Sequence, residues 1–222
     1  LDGNYPVGTA NVALGDAAGA AITSGGRNTL IGGSAGDALT VGQRNVVIGT
    51  DALSADTQGS RAVAIGQAAL ANQNFTSATD NYNVAVGFQA GVNVSTGTNN
   101  TLIGGLAGDA ITTGGYNVAV GATALTANTT ASFNTAVGYQ AAYSNTTGAD
   151  NTAMGTAALY PNTTGNYNAA FGSASLRQNT TGSFNTALGQ SALNRNTTAD
   201  YNTAVGYQSA YSNTTGERNT AM

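Results

Sequence analysis

Asn134-Thr135-Ala136-Val137-Gly138-Tyr139-Gln140-Ala141-Ala142-Tyr143-Ser144-Asn145-Thr146-Thr147-Gly148-Ala149-Asp150 is one period of a repeat, and Asn202 to Gly216 restates it almost residue for residue. With its first Asn taken as position zero, the anchor recurs at Asn11, Asn28, Asn45, Asn83, Asn100, Asn117, Asn151, Asn168, Asn185 and Asn219. Ala62 fills one anchor slot, and the spacing is 17 residues except for a step of 21 from Ala62 to Asn83. Position four is Gly in every repeat that reaches it. Position three is always large and apolar, from Leu14 and Ile31 to Leu188 and Val205. Position two is Ala, Val or Leu, and position seven is Ala or Ser.

A 17-residue unit is too short for a helical hairpin repeat, which needs about 34 residues. Gly in mid-pattern costs a helix about 1 kcal/mol per site. Asn-Thr-Thr-Gly and Gly-Gly clusters punctuate the chain as turns. The length suits two short strands and two turns per coil, each coil stacked on the last at about 4.8 Å. The fold class expected is therefore all-β, a parallel β-solenoid. Residues 1–222 are expected to form a single array of about 12–13 coils, with a four-residue loop insertion near 72–81.

Stacking places like side chains above one another. Asn134, Asn151, Asn168, Asn185 and Asn202 are expected to form a structural amide ladder. Gly at position four serves where a Cβ would clash. Alternation along a strand puts positions one and three on one face, two and four on the other. The bulk at position three predicts that this residue points into the coil. Position two, small and apolar, then lies on a second face that another chain can approach closely. Self-association is expected, as a parallel homotrimer or a filament, with a flattened single-chain solenoid that exposes its Ala face as the alternative.

Composition removes other classes. Charged residues are 7% of the chain, against about 25% in an ordinary soluble protein. His, Cys, Trp and Lys are absent and the net charge is -4. That balance offers no basic field for nucleic acid. No apolar run approaches a membrane span of about 18 residues, so no membrane insertion is expected. Without Cys there is no disulfide framework and no thiolate metal site.

The segment Ser60-Arg61-Ala62-Val63-Ala64-Ile65-Gly66 resembles the head repeat of trimeric autotransporter adhesins, and Asn134 to Gly148 resembles repeat blocks of phage tail fibres and large bacterial surface proteins. The resemblance covers nearly the whole chain and is strongest after Ala127. It implies a left-handed parallel β-roll that trimerises, and a place outside the cell, on a virion fibre or the cell surface. The period here is longer than that of adhesin heads.

Candidate sites are few. With no His, Cys or Lys, the usual general bases and activated nucleophiles are missing, so no catalytic residue and no enzyme is expected. The carboxylates Asp2, Asp16, Asp37, Asp51, Asp56, Asp80, Asp109, Asp150, Asp200 and Glu217 read mainly as turn residues. Gly32 to Asp37 and Gly104 to Asp109 have the composition of a calcium-binding repeat but not its spacing. No metal or cofactor is expected. Asn-Thr-Thr at Asn128, Asn145, Asn162, Asn179, Asn196 and Asn213 matches a glycosylation sequon but reads better as turn caps that stack as a ladder.

One residue before the anchor, aromatics recur at Tyr82, Tyr116, Phe133, Tyr167, Phe184 and Tyr201, and Arg at Arg27, Arg44, Arg61 and Arg218. Tyr116, Phe133, Tyr167, Phe184 and Tyr201 form a candidate ligand-binding stripe for a cell-surface glycan or receptor, with ladder packing as the structural reading. The expected function is a fibre shaft or head that presents a host- or surface-binding tip. The alternative is an adhesin module that binds through its repeat surface. An ice-binding solenoid is a distant third, because Thr at position one alternates with Val.

Overall fold

Three-residue runs such as Thr135-Ala136-Val137 are too short to hold together alone. They become strands because each finds a copy of itself one coil away. In the computed structural model, which describes residues 8–222, the chain is a parallel β-solenoid without helices among the described residues. It divides into two compact units after Gly114. The first contains β1 (Val12–Leu14), β2 (Thr29–Ile31), β3 (Val46–Ile48), β4 (Gly59–Ser60), β5 (Val63–Ile65), β6 (Thr79–Asp80), β7 (Val84–Val86) and β8 (Thr101–Ile103). Its main sheet runs β1-β2-β3-β5-β7-β8. The second contains β9 (Val118–Val120), β10 (Thr135–Val137), β11 (Thr152–Met154), β12 (Ala169–Phe171), β13 (Thr186–Leu188), β14 (Thr203–Val205) and β15 (Thr220–Ala221), paired in chain order.

Register follows the repeat. Thr135 pairs with Thr152 and Val118, and Val12 with Thr29, each in parallel. Where the period lengthens, Val63 pairs with Val84, so the extra residues are looped out before the next strand. A second strand in the coil is present at β4 and β6, where the insertion pairs Gly59 with Thr79 and Ser60 with Asp80. Elsewhere the rest of the coil is turns. The reason is a set of left-handed residues at fixed positions: six (Gln140, φ 56°), eight (Ala142, φ 48°) and sixteen (Asp150, φ 57°). Each non-glycine residue there costs about 1–2 kcal/mol of conformational energy. In return its N–H bonds to a neighbouring coil, as in Gln140 N to Ala122 O, 3.2 Å, Ala142 N to Ala158 O, 2.9 Å, and Asp150 N to Ser132 O, 3.4 Å.

The interior corrects one expectation. Position two, not position three, points inward: Ala187 is 0% exposed, whereas Leu188 beside it is 49% exposed. The same holds at Ala153 and Met154, and at Leu102 and Ile103. The Ala face is thus the inside of the coil and cannot receive another chain. The outer face carries positions one and three. The physical cause is the limited space inside a 17-residue coil. Side chains from positions two, seven, eight and eleven all enter it, and Leu at position eight (Leu53, Leu70, Leu125, Leu159, Leu176, Leu193) fills its middle. A small residue at position two fits beside that Leu.

Core volume is conserved between positions. Where position eight is Gly, position eleven is aliphatic: Gly19 with Ile22, Gly36 with Leu39, Gly91 with Val94, Gly108 with Ile111. Where position eight is Leu or Ala, position eleven is polar, as with Leu53 and Asp56, Leu70 and Gln73, or Leu159 and Asn162. A Cβ built on Gly36 would lie 2.9 Å from Leu39 Cδ1 and 3.0 Å from Leu30 Cδ2, so these chains occupy the space that Leu takes in the other coils.

Candidate functional site

Polar ladders hold the coils together. At the anchor, Asn134 Oδ1 accepts the backbone N–H of Asn151 at 3.1 Å, and its Nδ2 donates to Gly148 O at 2.9 Å. Asn151, Asn168 and Asn185 repeat both bonds, to the next anchor N–H and to Gly165, Gly182 and Ala199 O. Asn202 accepts from Asn219 N at 3.0 Å. The main partner of this ladder is therefore backbone. Anchor side chains also bond to one another, Asn168 Nδ2 to Asn151 Oδ1 and Asn185 Nδ2 to Asn168 Oδ1 at 3.2 Å each and Asn202 Nδ2 to Asn185 Oδ1 at 3.3 Å, and a second side-chain ladder runs at position eleven, through the sequon residues. Asn162 Nδ2 donates to Asn145 Oδ1 at 2.7 Å, Asn179 to Asn162 at 3.0 Å and Asn196 to Asn179 at 2.9 Å. Asn128, Asn145, Asn162, Asn179 and Asn196 are fully buried, so the folded chain leaves no room for a glycan on them.

The residue before each anchor sits at a left-handed corner, and its side chain is thrown outward. Tyr116 and Phe133 stack with ring centres 5.1 Å apart, and Tyr167, Phe184 and Tyr201 stack at 5.0 Å for each pair. Asp150 takes the slot between Phe133 and Tyr167, so the stripe is two groups rather than one. Arg218 covers Tyr201, its guanidinium 5.6 Å from the ring centre. About half of each ring is exposed, yet the faces lie against one another and the edges meet water. Phe184 is covered by rings on both faces and Tyr201 lies between Phe184 and Arg218, whereas Tyr116, Phe133 and Tyr167 each stack one face on a neighbouring ring.

Two further features do not emerge from the anchor motif. Tyr143 and Tyr160 stack at 5.2 Å, Arg177 lies 5.9 Å from the Tyr160 ring centre, and Arg195 lies 5.4 Å from that of Tyr211. The signal in the sequence is the recurrence of these residues at positions nine and ten of the later repeats. The other feature is the outer face of each sheet. In the first unit it presents Leu14, Ile31, Ile48, Ile65, Val86 and Ile103, one from each coil, all at least partly exposed. In the second unit it presents Val120, Val137, Met154, Phe171, Leu188 and Val205.

The insertion has its own polar network. Ala62 has no amide to receive the N–H of the next anchor, and Asn81 from the insertion accepts it instead, Asn83 N to Asn81 Oδ1 at 2.9 Å. Beneath it, Asp56 is fully buried. Its Oδ1 accepts Gly59 N at 2.9 Å and Phe75 N at 3.1 Å, and its Oδ2 accepts Gln73 Nε2 at 2.7 Å. Burial raises the pKa of Asp56, against the opposing pull of these bonds. Asp80 pairs with Arg61, Oδ2 to Nε 2.8 Å, and Tyr82 lies 5.5 Å from the same guanidinium. Beside this pair is an open cleft of about 330 Å³, lined by Gln43, Arg44, Ser60, Arg61, Ala78, Thr79 and Asp80.

Asp37 is raised above its usual pKa, first by burial and lastly by the charge of Asp51. Among the described residues no three acidic, His or Cys side chains gather as a metal set. Asp2 lies outside the described residues. Comparison of the chain with protein-family models, with curated proteins and with solved structures found no match in any of the three.

Proposed function

We propose that the chain is a structural fibre segment whose copies associate side by side through the outer face of the sheet, as a parallel homotrimer. The observation that carries this reading is the row of large apolar side chains at position three, one per coil, on the water-facing side of each unit. A contiguous apolar row of this kind marks an interaction surface. A second copy with the same row in the same order is its natural complement. The reading also accounts for a strand that is apolar on both faces: the inner face closes the coil and the outer face closes the assembly. The resemblance of the repeat to adhesin heads and phage tail-fibre blocks supports it, and a virion or cell surface is the setting proposed for such a segment. Its role there is to hold a binding tip away from a base.

The stacked aromatics lend less support to binding through the repeat surface, because each ring gives at least one face to a neighbour and Phe184 gives both. Native mass measurement of the intact chain, with crosslinking, tests the proposal. Three copies are expected, and a monomer at micromolar concentration would end it.

A further inference from the structure

The corner before the anchor carries Arg27, Arg44 and Arg61 on three successive coils. Backbone bonds fix their alignment: Arg44 N donates to Gly26 O at 3.1 Å and Arg61 N to Gln43 O at 2.9 Å. Neighbouring coils are about 4.8 Å apart, so these guanidinium groups share one line at close range. Like charges on adjacent coils repel one another. A chain with a net charge of -4 and only six cations has nonetheless placed half of them here. Among the described residues one carboxylate ion-pairs on this corner, Asp80, and it comes from the insertion. It meets the Nε edge of Arg61. That contact leaves the terminal nitrogens of Arg61 without an ion-pair partner among the described residues, and the exposed Arg44 has none either.

The insertion does more than add a charge. β6 pairs with β4 and so builds a wall of Ala78, Thr79 and Asp80 beside the two arginines. Gln43 and Ser60 add uncharged groups to the lining, with the Ser60 hydroxyl accepting Gln43 N at 3.0 Å. The floor beneath is stiff, because Asp56, Gln73 and Asn83 form a buried chain of hydrogen bonds under the loop. The cleft is thus shallow, polar and open, with two guanidinium groups on adjacent coils and hydroxyl and amide groups around them.

We propose that this cleft binds a carboxylate-bearing saccharide, with Arg44 and Arg61 receiving the carboxylate. Guanidinium groups match carboxylate oxygens in a fork geometry that a point charge does not. The surrounding Gln43, Ser60 and Thr79 suit the hydroxyls of a sugar ring, and the half-exposed Tyr82 beside Arg61 gives an apolar flank. The hydroxyl and amide groups of Ser60, Thr79 and Gln43 beside the two guanidinium groups favour a polyhydroxylated acid over the side chains of an acidic peptide. This site is separate from the outer sheet face, and its presence does not depend on the fibre reading.

The test is calorimetry on the intact chain with a glucuronic-acid-containing tetrasaccharide and with the same tetrasaccharide after reduction of its carboxyl groups. The acidic sugar is expected to bind, more weakly as salt is raised, and at least about tenfold more tightly than the reduced form. Arg44→Gln is expected to cost about tenfold in affinity, and Arg44→Lys less. Arg44 is exposed and makes no side-chain bond among the described residues, so circular dichroism of both variants should match the parent. The proposal is overturned if the acidic sugar does not bind, if the reduced sugar binds as well, or if Arg44→Gln binds unchanged. It is equally overturned if an oligoglutamate of the same charge binds as tightly, since the cleft then reads charge alone. The native mass is independent of all these outcomes, so this proposal and the fibre reading fail separately.

Discussion

At Gly138 the backbone sits at φ 130°, and a Cβ there would lie 2.8 Å from the carbonyl carbon and oxygen of Gly155 in the next coil. Both the torsion and the contact bar a side chain, and the flexible end of no neighbour can yield. Gly138→Ala is expected to cost about 2–4 kcal/mol in a denaturant titration, since strain and overpacking add. Asp56 is the residue whose cost depends on pH. Burial lifts its folded pKa above the ordinary 3.8. Between those values the folded chain holds more protons than the unfolded one, so stability is lost as pH rises through the folded pKa. The contribution is fully present at or below the ordinary value. Asp56→Asn lacks this linkage. The melting temperature of the parent relative to the variant should therefore climb as pH falls from neutral, and a pH-independent difference would contradict the burial argument.

Within a coil, the exchange between positions eight and eleven makes a core of constant volume from two different pairs. Gly36 leaves room that Leu39 and Leu30 fill, whereas Leu159 fills it directly and leaves position eleven to Asn162. Gly36→Leu places Leu in a left-handed torsion that Leu53 and Leu70 already adopt, so its cost is about 1–2 kcal/mol for that torsion plus the clash with Leu39. Leu39→Asn vacates the clash. A double-mutant cycle on Gly36→Leu and Leu39→Asn should show a favourable coupling of about 1–3 kcal/mol, read from unfolding midpoints. Additive losses would mean that the two positions do not share one space. The insertion shows the same economy with hydrogen bonds: the amide missing at Ala62 is supplied by Asn81. A change of anchor residue and an insertion, seemingly unrelated in the sequence, form one device.

For the molecule as a whole, the outer sheet face decides whether the chain stands alone. Ile48 and Ile65 occupy neighbouring strands of that face, paired directly across β3 and β5. Neither side chain points into the core, so the paired change Ile48→Glu with Ile65→Glu should leave the β circular-dichroism signature in place. It should also weaken association by at least about tenfold in sedimentation, because two charges would be buried against their own copies. Retained assembly would direct attention to another surface. The arginine cleft belongs to a corner rather than to this face, so acidic-sugar binding is expected to survive the change.

The 17-residue spacing, the invariant Gly and the recurring Asn were enough to determine a parallel solenoid in register, since only coil-over-coil stacking brings like residues together at that interval. The anchor ladder and the outward aromatics were legible for the same reason. Which side of the strand faces inward was not, because both sides are apolar and a three-residue strand has no polar face to orient it. That choice fell to the tertiary structure. Leu176 and its equivalents at position eight, held in a left-handed torsion that nothing in their chemistry announces, fill the coil and leave space only for a small residue beside them, Ala or, next to Leu53, Val47. The bulk at position three is therefore turned outward. The cleft at Arg44 and Arg61 was equally hidden, because it exists only once β6 lies against β4 and brings Asp80 to a corner 19 residues away. Local pattern determines what repeats; packing inside a narrow coil determines which way it faces.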